Sequence, residues 1–429
     1  MIYKNWLREN FLKGKKPGRS FLKKNISTEC LVIGGGIAGL HAALKLIDSG
    51  KKVVLLEKTI CGGSSSGQSG GFLSPESEED MSALTKRYDK KSAKTIYGIP
   101  KKGVELIANN IKKYKFKCDF RKQDSLLISA KESHNKKIFE EARAKKAANL
   151  PHKILNKAEL KKIHPGKNYL MGLRYPGSYG IDSFAYCREM KNLLVKKGVK
   201  IYEGSEVKKI NGNTAITRFG SAKARDIIIC VDKLRDEIGG DFSKKYYHLQ
   251  TYIAISEPLN REEMKSIFPN GELMCWDTNW DYAYYRPVFE NRILVGGSSA
   301  MTAYMKKERH SPEVINYFIG DLKSNFPKIK NVKFTHYWAG LIDVTKDLVP
   351  IADYEPKNKS IQYALGCAGL NWAAYCGDYL ARRAVNPKNT RDLSEFLGAN
   401  RKFFISDKVQ SILGKKISFF ISHLRHFLK

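Results

Sequence analysis

The sequence predicts an α/β fold, α+β overall, in which a Rossmann-like unit is joined to a second unit built on a mixed or antiparallel sheet. Residues 30–58 have the pattern of a buried strand, a glycine turn, an amphipathic helix and a second strand. Residues 248–299 instead form alternating strands, typical of an antiparallel sheet with one wet or ligand-facing side. The 429 residues, 42% of them hydrophobic, suffice for a large core and about three domains.

The glycine turn carries the most specific functional signal. Gly34 allows a tight turn, Gly36 lets a pyrophosphate approach the backbone, and Gly39 lets the helix pack on the sheet. The helix that begins at Ile37 and Ala38 offers backbone N–H groups and a positive dipole end to a diphosphate. Glu57 ends the second strand, where a carboxylate can accept hydrogen bonds from an adenosine ribose. The pattern therefore predicts a dinucleotide site, the alternative being a glycine turn in an ordinary α/β domain.

The cysteine pattern and the N-terminal residues indicate the cellular compartment and whether a metal site is expected. The eight cysteines are scattered, without a CxxC or a Cys/His cluster, which predicts a reducing, cytoplasmic setting and no metal site. The N-terminal residues lack the uninterrupted apolar core of a signal peptide, so we do not expect secretion.

The net charge of +33 is concentrated in residues 1–28, 101–167 and 401–429. This distribution predicts contact with an anionic surface, either membrane lipid or nucleic acid. The basic runs include no recognisable RNA- or DNA-binding motif, so we do not expect nucleic-acid binding.

The C-terminal segment predicts a basic amphipathic helix. Its apolar face is formed by Leu413, Ile417, Phe420, Ile421, Leu424, Phe427 and Leu428, and Phe419 lies off that face. The opposite face carries Lys415, Lys416, Ser418, Ser422, His423, Arg425 and Lys429. Three interpretations remain open: a helix docked on its own protein, a helix peripheral to the inner face of an anionic membrane, or a helix that binds a partner protein.

Later segments join the glycine turn in a family pattern. They are CGGSSSGQSGGF at 61–72, YYRPVFENRILVGGSS at 284–299, and the stretch from WAGLIDVTKDLVPIADY to ALGCAGLNWAAYCGDYLA at 338–381. Over about residues 25–390 the chain resembles the flavin amino-acid and amine oxidoreductases of the D-amino-acid oxidase superfamily, and most of all their gamma-glutamylputrescine oxidoreductase branch.

The resemblance implies a discontinuous FAD-binding domain, residues 25–85, 176–245 and 336–395. The substrate domain would then comprise residues 86–175 and 246–335. A basic N-terminal extension, 1–24, and the C-terminal helix region, 396–429, complete this division.

Several cofactor contacts are implied by the same resemblance. Besides the glycine turn, the residues expected at FAD are Lys58, Ser65, Ser66, Gly67, Gly70, Val207, Gly340, Gly366, Gly369 and Leu370. The chain departs from the family pattern at Gln68 and Ser69, where a basic residue and an asparagine are usual. It departs again at Asn371 and Trp372, where a third glycine is usual. No cysteine occurs between Cys275 and Cys367, so the FAD is expected to be non-covalent.

The substrate is expected to meet Tyr285, Arg286, Trp338 and Trp372. Alternation along the strand puts Tyr282, Tyr284 and Arg286 on one face and Ala283, Tyr285 and Pro287 on the other, after Trp276 and Trp280. Aromatic rings can hold a protonated amine, and Arg286 could pair with a carboxylate. The alternative is sheet packing for the rings and a salt bridge for the arginine.

The chemistry implied is hydride transfer from the carbon of an amine or amino acid to flavin N5, which gives an imine that water hydrolyses. Such a step needs a positioned substrate but no metal or obligatory nucleophile. Oxygen or a quinone would reoxidise the flavin. The alternative function is a flavin-stabilised protein whose main role is binding membrane or RNA.

Overall fold

The computed structural model describes residues 1–14, 20–76, 78–279, 283–298, 304–305 and 307–428. Of the residues considered above, Trp280, Tyr282 and Lys429 lie outside the described residues. The strands are β1 (Ile2–Tyr3), β2 (Ile26–Ile33), β3 (Val53–Glu57), β4 (Phe72–Leu73), β5 (Arg121–Lys122), β6 (Asp124–Ser129), β7 (Lys153–Leu155), β8 (Met171–Tyr175), β9 (Tyr179–Gly180), β10 (Lys200–Glu203), β11 (Lys209–Asn211), β12 (Thr214–Ile216), β13 (Ser221–Ile229), β14 (Tyr246–Ser256), β15 (Leu273–Asp277), β16 (Tyr284–Val288), β17 (Arg292–Gly297), β18 (Phe334–Thr345), β19 (Ile351–Glu355) and β20 (Asn358–Leu365).

The α-helices are α1 (Trp6–Leu12), α2 (Ile37–Asp48), α3 (Ser65–Gln68), α4 (Met81–Arg87), α5 (Lys90–Tyr114), α6 (Glu132–Ala147), α7 (Lys157–Ile163), α8 (Ser183–Lys196), α9 (Asp236–Gly239), α10 (Arg261–Ile267), α11 (Pro312–Asn325), α12 (Leu370–Val385), α13 (Ser394–Leu397), α14 (Asp407–Leu413) and α15 (Lys415–Leu428). Short 3-10 helices cover Gly240–Lys244 and Pro327–Ile329.

The first large sheet contains the predicted Rossmann-like unit. Strand β2 pairs in parallel with β3 and β13, β3 with β10, and β13 with β20. Helix α2 connects β2 to β3, and its Leu40, Ala42, Ala43 and Leu46 are buried. Residues 31–33, 53–56 and 227–229 are buried and apolar on both faces, which is the usual arrangement for parallel strands covered on both sides.

The second large sheet is mixed, as predicted. Its order is β1-β18-β14-β17-β16-β15-β6-β8-β7. Strand β14 runs antiparallel to both β17 and β18, whereas β15 runs parallel to β6 and β1 parallel to β18. The α/β fold class with a mixed second sheet is therefore confirmed.

Helix α12 packs on the nucleotide side of the molecule at very short range. A Cβ atom added to Gly377 would lie 1.9 Å from the carbonyl oxygen of Ala38, at the start of α2. Only a residue without a side chain allows this approach. The core around it combines α12 with α2, α5 and α8, including Ile96, Ile107 and Met190.

The residue pattern predicts helical stretches at 82–117 and 132–164 and a strand at 199–207, and all three are shorter or interrupted in the structure. The helical stretch at 82–117 divides into α4 and α5, because Asp89 caps a new helix by accepting the N–H groups of Lys91 and Ser92. The stretch at 132–164 consists of α6 and α7 with β7 between them. The strand predicted over 199–207 ends at Glu203.

The predicted division of the chain also differs from the sheets. Residues 336–345, expected with the FAD domain, belong to β18, which pairs along most of its length with β14 in the mixed sheet. Helix α5, expected with the substrate domain, packs instead against α12 in the nucleotide-side core. Residues 2–12 of the predicted extension form β1 and α1, and Trp6 and Leu7 are buried beside Trp338. The packing of their apolar side chains determines the sheet or core that these segments join.

Candidate functional site

A single cavity of about 730 Å³ connects the glycine turn of the parallel sheet with one face of the mixed sheet. The predicted cofactor residues that line it are Gly34, Gly36, Ile37, Ala38, Glu57, Lys58, Ser65, Ser66, Gly70, Val207, Gly340, Gly369 and Leu370. Segments far apart in the sequence thus meet around one elongated space.

The glycine turn is held close to neighbouring backbone. Gly34 has φ +106°, and a Cβ there would lie 2.1 Å from the carbonyl oxygen of Cys230. A Cβ on Gly39 would lie 1.9 Å from the carbonyl oxygen of Gly34, so Gly39 sits behind the turn and does not line the cavity. The N–H of Ile37 donates to Ser66 Oγ at 3.1 Å, which joins the turn to the serine-rich loop.

Glu57 lies at the edge of the cavity with both carboxylate oxygens engaged. Oε2 accepts the N–H of Gly35 at 2.7 Å, and Oε1 accepts the N–H of Thr59 at 2.7 Å. Burial raises the pKa of this carboxyl group, while those hydrogen bonds oppose the rise. Oε1 also accepts the hydroxyl of Thr59 at 3.1 Å. Because each carboxylate oxygen can accept about two hydrogen bonds, Oε2 keeps a lone pair for a ribose.

The serine-rich loop is fixed from outside the cavity. Asn5 Nδ2 donates to the carbonyl of Gly67 at 3.0 Å, and Trp338 Nε1 donates to the carbonyl of Gln68 at 2.9 Å. Gly67 itself packs against Gly62, where a Cβ would lie 2.0 Å from the carbonyl oxygen, and it does not line the cavity. Gln68, one of the departures from the family pattern, does line it.

The N-terminus of α12 opens onto the cavity. Its N-cap Gly369 has φ +100° and provides no capping side chain. Gly366, with φ +64°, packs against Thr345 at the end of β18 and does not line the cavity. Asn371 takes the place of the usual glycine, and its Nδ2 donates to the carbonyl of Ser74 at 2.6 Å. The asparagine thus attaches the chain after β4 to this helix.

Trp372 does not reach the cavity, which corrects its predicted place around the substrate. The side chain is completely buried in the core shared by α2, α5 and α12. The next helical position, Ala373, faces the cavity instead. A helix turns about 100° per residue, so adjacent positions face different surroundings.

Tyr285 and Arg286 are likewise corrected. Tyr285 points to the opposite side of the sheet, where its hydroxyl lies 2.5 Å from His164 Nε2 and 2.8 Å from the hydroxyl of Tyr169. Arg286 is buried behind the serine-rich loop, where Nε donates to the carbonyl of Gly70 at 2.8 Å and Nη2 to that of Ile181 at 2.7 Å. Neither side chain lines the cavity.

Trp338 also supports the cavity wall without lining it. It is 3% exposed and packs with Trp6, Ile253 and Leu294 beneath the loop whose Gln68 carbonyl it binds. Its bulk is therefore used in packing, which corrects its predicted contact with substrate.

The far end of the cavity is formed by residues other than the four expected substrate contacts. The rings of Phe72, Trp276 and Tyr284 line it, with centroids 6.5 Å apart for Phe72 and Trp276 and 5.3 Å for Phe72 and Tyr284. Acidic side chains line it as well, namely Glu76, Glu78, Asp80 and Asp277. The available signal was the acidic run at 76–80, which directly follows the serine-rich loop in a strongly basic chain.

Helix α15 docks on its own protein, one of the three interpretations, but through its polar face. Ser418, Phe419, Ser422 and His423 are buried. His423 Nδ1 lies 2.8 Å from the hydroxyl of Tyr304, and His423 Nε2 lies 2.7 Å from the carbonyl oxygen of Thr345. Phe420 and His423 also line the cavity. Within the described part of the chain, no helix is both long and apolar enough to cross a bilayer.

The residues present fit a dinucleotide. Backbone at the start of α2 faces the cavity where Gly36 leaves space, since a Cβ there would lie 2.9 Å from Ser66 Oγ. Glu57 supplies a ribose acceptor at one end, and the N-terminus of α12 supplies a second positive dipole end further along. The described residues hold no group of three His, Cys, Asp or Glu side chains placed to bind a metal ion.

Curated proteins of similar sequence are oxidoreductases. The chain is 29% identical over 342 residues to a probable oxidoreductase OrdL of Haemophilus influenzae, an alignment that covers 74% of each chain. It is 25% identical over 353 residues to gamma-glutamylputrescine oxidoreductase of Escherichia coli, covering 81% of each.

Solved structures share the fold. Glycine oxidase from Geobacillus kaustophilus superposes with a TM-score of 0.74 at 18% identity, covering 86% of this chain and 98% of the other. L-proline dehydrogenase from P. horikoshii gives a TM-score of 0.73 at 18% identity, covering 88% and 98%. Residues 29–383 match the family described as FAD dependent oxidoreductase. Since that match spans most of the sequence and agrees with the dinucleotide cavity, the chain belongs to the family of FAD-dependent oxidoreductases.

Proposed function

We propose that this FAD-dependent enzyme oxidises the carbon–nitrogen bond of an amine or amino acid. The observation that carries the proposal is the continuity of the cavity, which passes from the glycine turn and the N-terminus of α12 to the wall formed by Phe72, Trp276 and Tyr284. The named relative that acts on gamma-glutamylputrescine supports an amine substrate.

The residues proposed to hold FAD are the lining residues of the glycine turn, the serine-rich loop, Val207, Gly340 and the start of α12. Bound there, FAD supplies a two-electron acceptor for a hydride. The substrate loses that hydride from carbon and a proton from nitrogen, and water converts the resulting imine into a carbonyl compound and an amine or ammonia. The N-terminus of α12 faces the cavity, where its dipole stabilises negative charge.

Anaerobic mixing of the purified yellow protein with amines and amino acids tests this function. The flavin absorbance should be bleached by at least one gamma-glutamyl amine, diamine, N-methylglycine, glycine or D-amino acid. Readmission of air would then distinguish oxygen from a quinone as the acceptor, since rapid return of the colour requires oxygen. Bound FAD that no amine or amino acid bleaches would contradict the proposal.

We also propose that α14 and α15 contact an anionic membrane surface. Docking through the polar face of α15 leaves its Ile417 52% and Phe420 36% exposed, and Ile412 of α14 is 83% exposed. Lys408 and Lys416 are exposed in the same two helices. Exposed apolar side chains flanked by cations are typical of helices that lie in the headgroup layer.

Vesicle co-sedimentation tests the membrane contact. The double variant Ile412→Glu/Ile417→Glu should lose binding to vesicles containing phosphatidylglycerol, whereas Val195→Glu should retain it. Val195 is a suitable control because it is 52% exposed on α8, away from these helices. Equal binding by all three proteins would contradict the proposed surface.

A further inference from the structure

Acidic groups dominate the end of the cavity furthest from the glycine turn. Glu76, Glu78 and Asp80 come from the segment between β4 and α4, and Asp277 comes from the end of β15. They line the same cavity although the whole chain has a net charge of +33.

Two of these carboxylates are satisfied by the protein. Glu76 is bound by Lys145 Nζ and by the hydroxyl of Tyr97. Asp277 accepts the N–H of Asn279 at 2.9 Å and its Nδ2 at 2.8 Å. Lys145 also pairs with Glu141 at 3.5 Å, so this one ammonium already serves two carboxylates.

Glu78 and Asp80 differ from Glu76 and Asp277 in their contacts with the rest of the protein. Neither carboxylate has a hydrogen bond or ion pair with another described residue, and both side chains are accessible through the cavity. Protein nevertheless surrounds them closely, so that desolvation raises the pKa of Glu78 to about 7. Desolvation, with Glu141 and Glu76 nearby, raises the pKa of Asp80 to about 8. A cation placed beside either carboxylate would favour its ionised form.

An aromatic wall adjoins these acids. Lys145 Nζ, which binds Glu76, lies 4.2 Å from the ring centroid of Tyr175, and that ring lies 5.9 Å from Trp276. Glu78 is close enough to Tyr284 to contribute to the raised pKa of the phenol. Carboxylates and aromatic faces are the two kinds of protein group that attract an organic ammonium.

Among the described residues, the lysines beside these acids are Lys145, which already binds Glu76, and Lys137. Lys137 lines the cavity, with Nζ 3.5 Å from the carbonyl oxygen of Thr278. Arg286, expected from the sequence to bind a substrate carboxylate, is instead bound to the carbonyls of Gly70 and Ile181. The charges therefore favour a cationic substrate over an anionic one.

We propose that the substrate is an amine with a second positive charge, such as an aliphatic diamine or polyamine, and that Glu78 and Asp80 hold this second ammonium group. The inference rests on the proposed function, because it assigns the substrate class of the same cavity. Phe72, Trp276 and Tyr284 line the hydrocarbon chain between the two nitrogen atoms.

The test compares 1,4-diaminobutane and spermidine with butylamine. Anaerobic flavin bleaching gives the half-saturating concentration of each amine, and titration calorimetry of the FAD-loaded protein gives equilibrium binding. We expect the diamine and the polyamine to half-saturate at concentrations at least tenfold below butylamine in both measurements. Equal values for butylamine and the diamine would overturn the inference.

Variants locate the charge that is recognised. Glu78→Gln should reduce the preference for 1,4-diaminobutane over butylamine about tenfold, and Asp80→Asn should act in the same direction. Glu105→Gln is the matched control, because Glu105 is exposed on α5 and does not line the cavity. An unchanged preference in folded Glu78→Gln and Asp80→Asn proteins would overturn the assignment.

The two readouts separate this inference from the proposed function. Bleaching by amines regardless of their charge would leave amine oxidation standing and overturn the cationic substrate. Selective binding of the diamine without bleaching by any amine would support the charge recognition and contradict amine oxidation.

Discussion

The two ends of the cavity are built in different ways. At the nucleotide end, backbone groups form most of the wall. The glycine turn, α2 and Glu57 come from one run of about thirty residues. At the far end, side chains from β4 and the segment after it, and from β15 and β16, form the wall. A site made from local backbone can be predicted from spacing alone, whereas a site made from distant side chains depends on how the sheets pack.

Substitution of Gly36 tests whether FAD binding depends on the space beside the backbone of the glycine turn, and we expect its effect to be large. Gly36→Val should reduce bound FAD at least tenfold, because the added side chain would enter the cavity beside Ser66. Flavin absorbance relative to protein absorbance measures this, with circular dichroism to confirm folding. Gly98→Val is the control, since a Cβ at Gly98 would meet nothing within 4 Å. A Gly36→Val protein that retains its full content of FAD would contradict the need for backbone space at this position.

A second variant tests the connection between the two ends. Arg286→Met should lower the free energy of unfolding by about 3 kcal/mol, because the buried carbonyls of Gly70 and Ile181 lose a charged donor. FAD should bind more weakly too, since Gly70 lines the cavity. Urea unfolding measures the first effect. An Arg286→Met protein as stable as the exposed-site control Arg218→Met would refute this role.

Two adjacent tyrosines test which face of β16 meets the cavity. Tyr285→Phe should cost about 1 kcal/mol of unfolding free energy, because His164 and Tyr169 lose a buried partner, while KM changes less than twofold. Tyr284→Ala should raise KM several-fold, since its ring lines the cavity. Steady-state kinetics and chemical unfolding provide both values. A larger KM effect from Tyr285→Phe than from Tyr284→Ala would contradict the assignment of the two faces.

The protonation of Glu78 should make a small, pH-dependent contribution to the free energy of unfolding. The pKa of Glu78 is raised from 4.5 to about 7, so this carboxyl group favours folding when neutral, and that stability is lost as pH rises from about 4.5 to 7. Without added amine, Glu78→Gln should exceed the parent protein in stability by about 1 kcal/mol at pH 8, a value reduced because the group is accessible through the cavity. At pH 4.5 the two should coincide. A stability difference independent of pH would contradict burial of this carboxylate.

Much of the fold and of the nucleotide end could be predicted because the deciding residues are close in sequence. The spacing of Gly34, Gly36 and Gly39 follows from local geometry, and most of the predicted cofactor residues do line the cavity. The period-two pattern of β16 likewise separated Tyr284 from Tyr285. It could not tell which face meets the cavity, because that depends on the position of the other sheet.

The prediction from α15 failed to select the docking face for a similar reason. The periodicity separated an apolar from a polar face, and burial of the apolar face is the usual outcome. Here His423 faces inward, because the hydroxyl of Tyr304 and the carbonyl of Thr345 supply polar partners. Ser422 is buried beside it, with its hydroxyl donating to the carbonyl of Ser418 in the same helix. Such partners come from distant strands and loops, which amphipathic spacing does not reveal.

Helix α15 extends from the surface of the enzyme to the wall of the cavity. The same helix presents Ile417 to the outside and His423 to the cavity. If a bound surface shifts this helix and thereby changes the affinity for substrate, thermodynamic reciprocity requires substrate to change the affinity for that surface by the same factor. Occupancy of the cavity would then regulate where the enzyme resides, and its location would regulate how readily it is loaded.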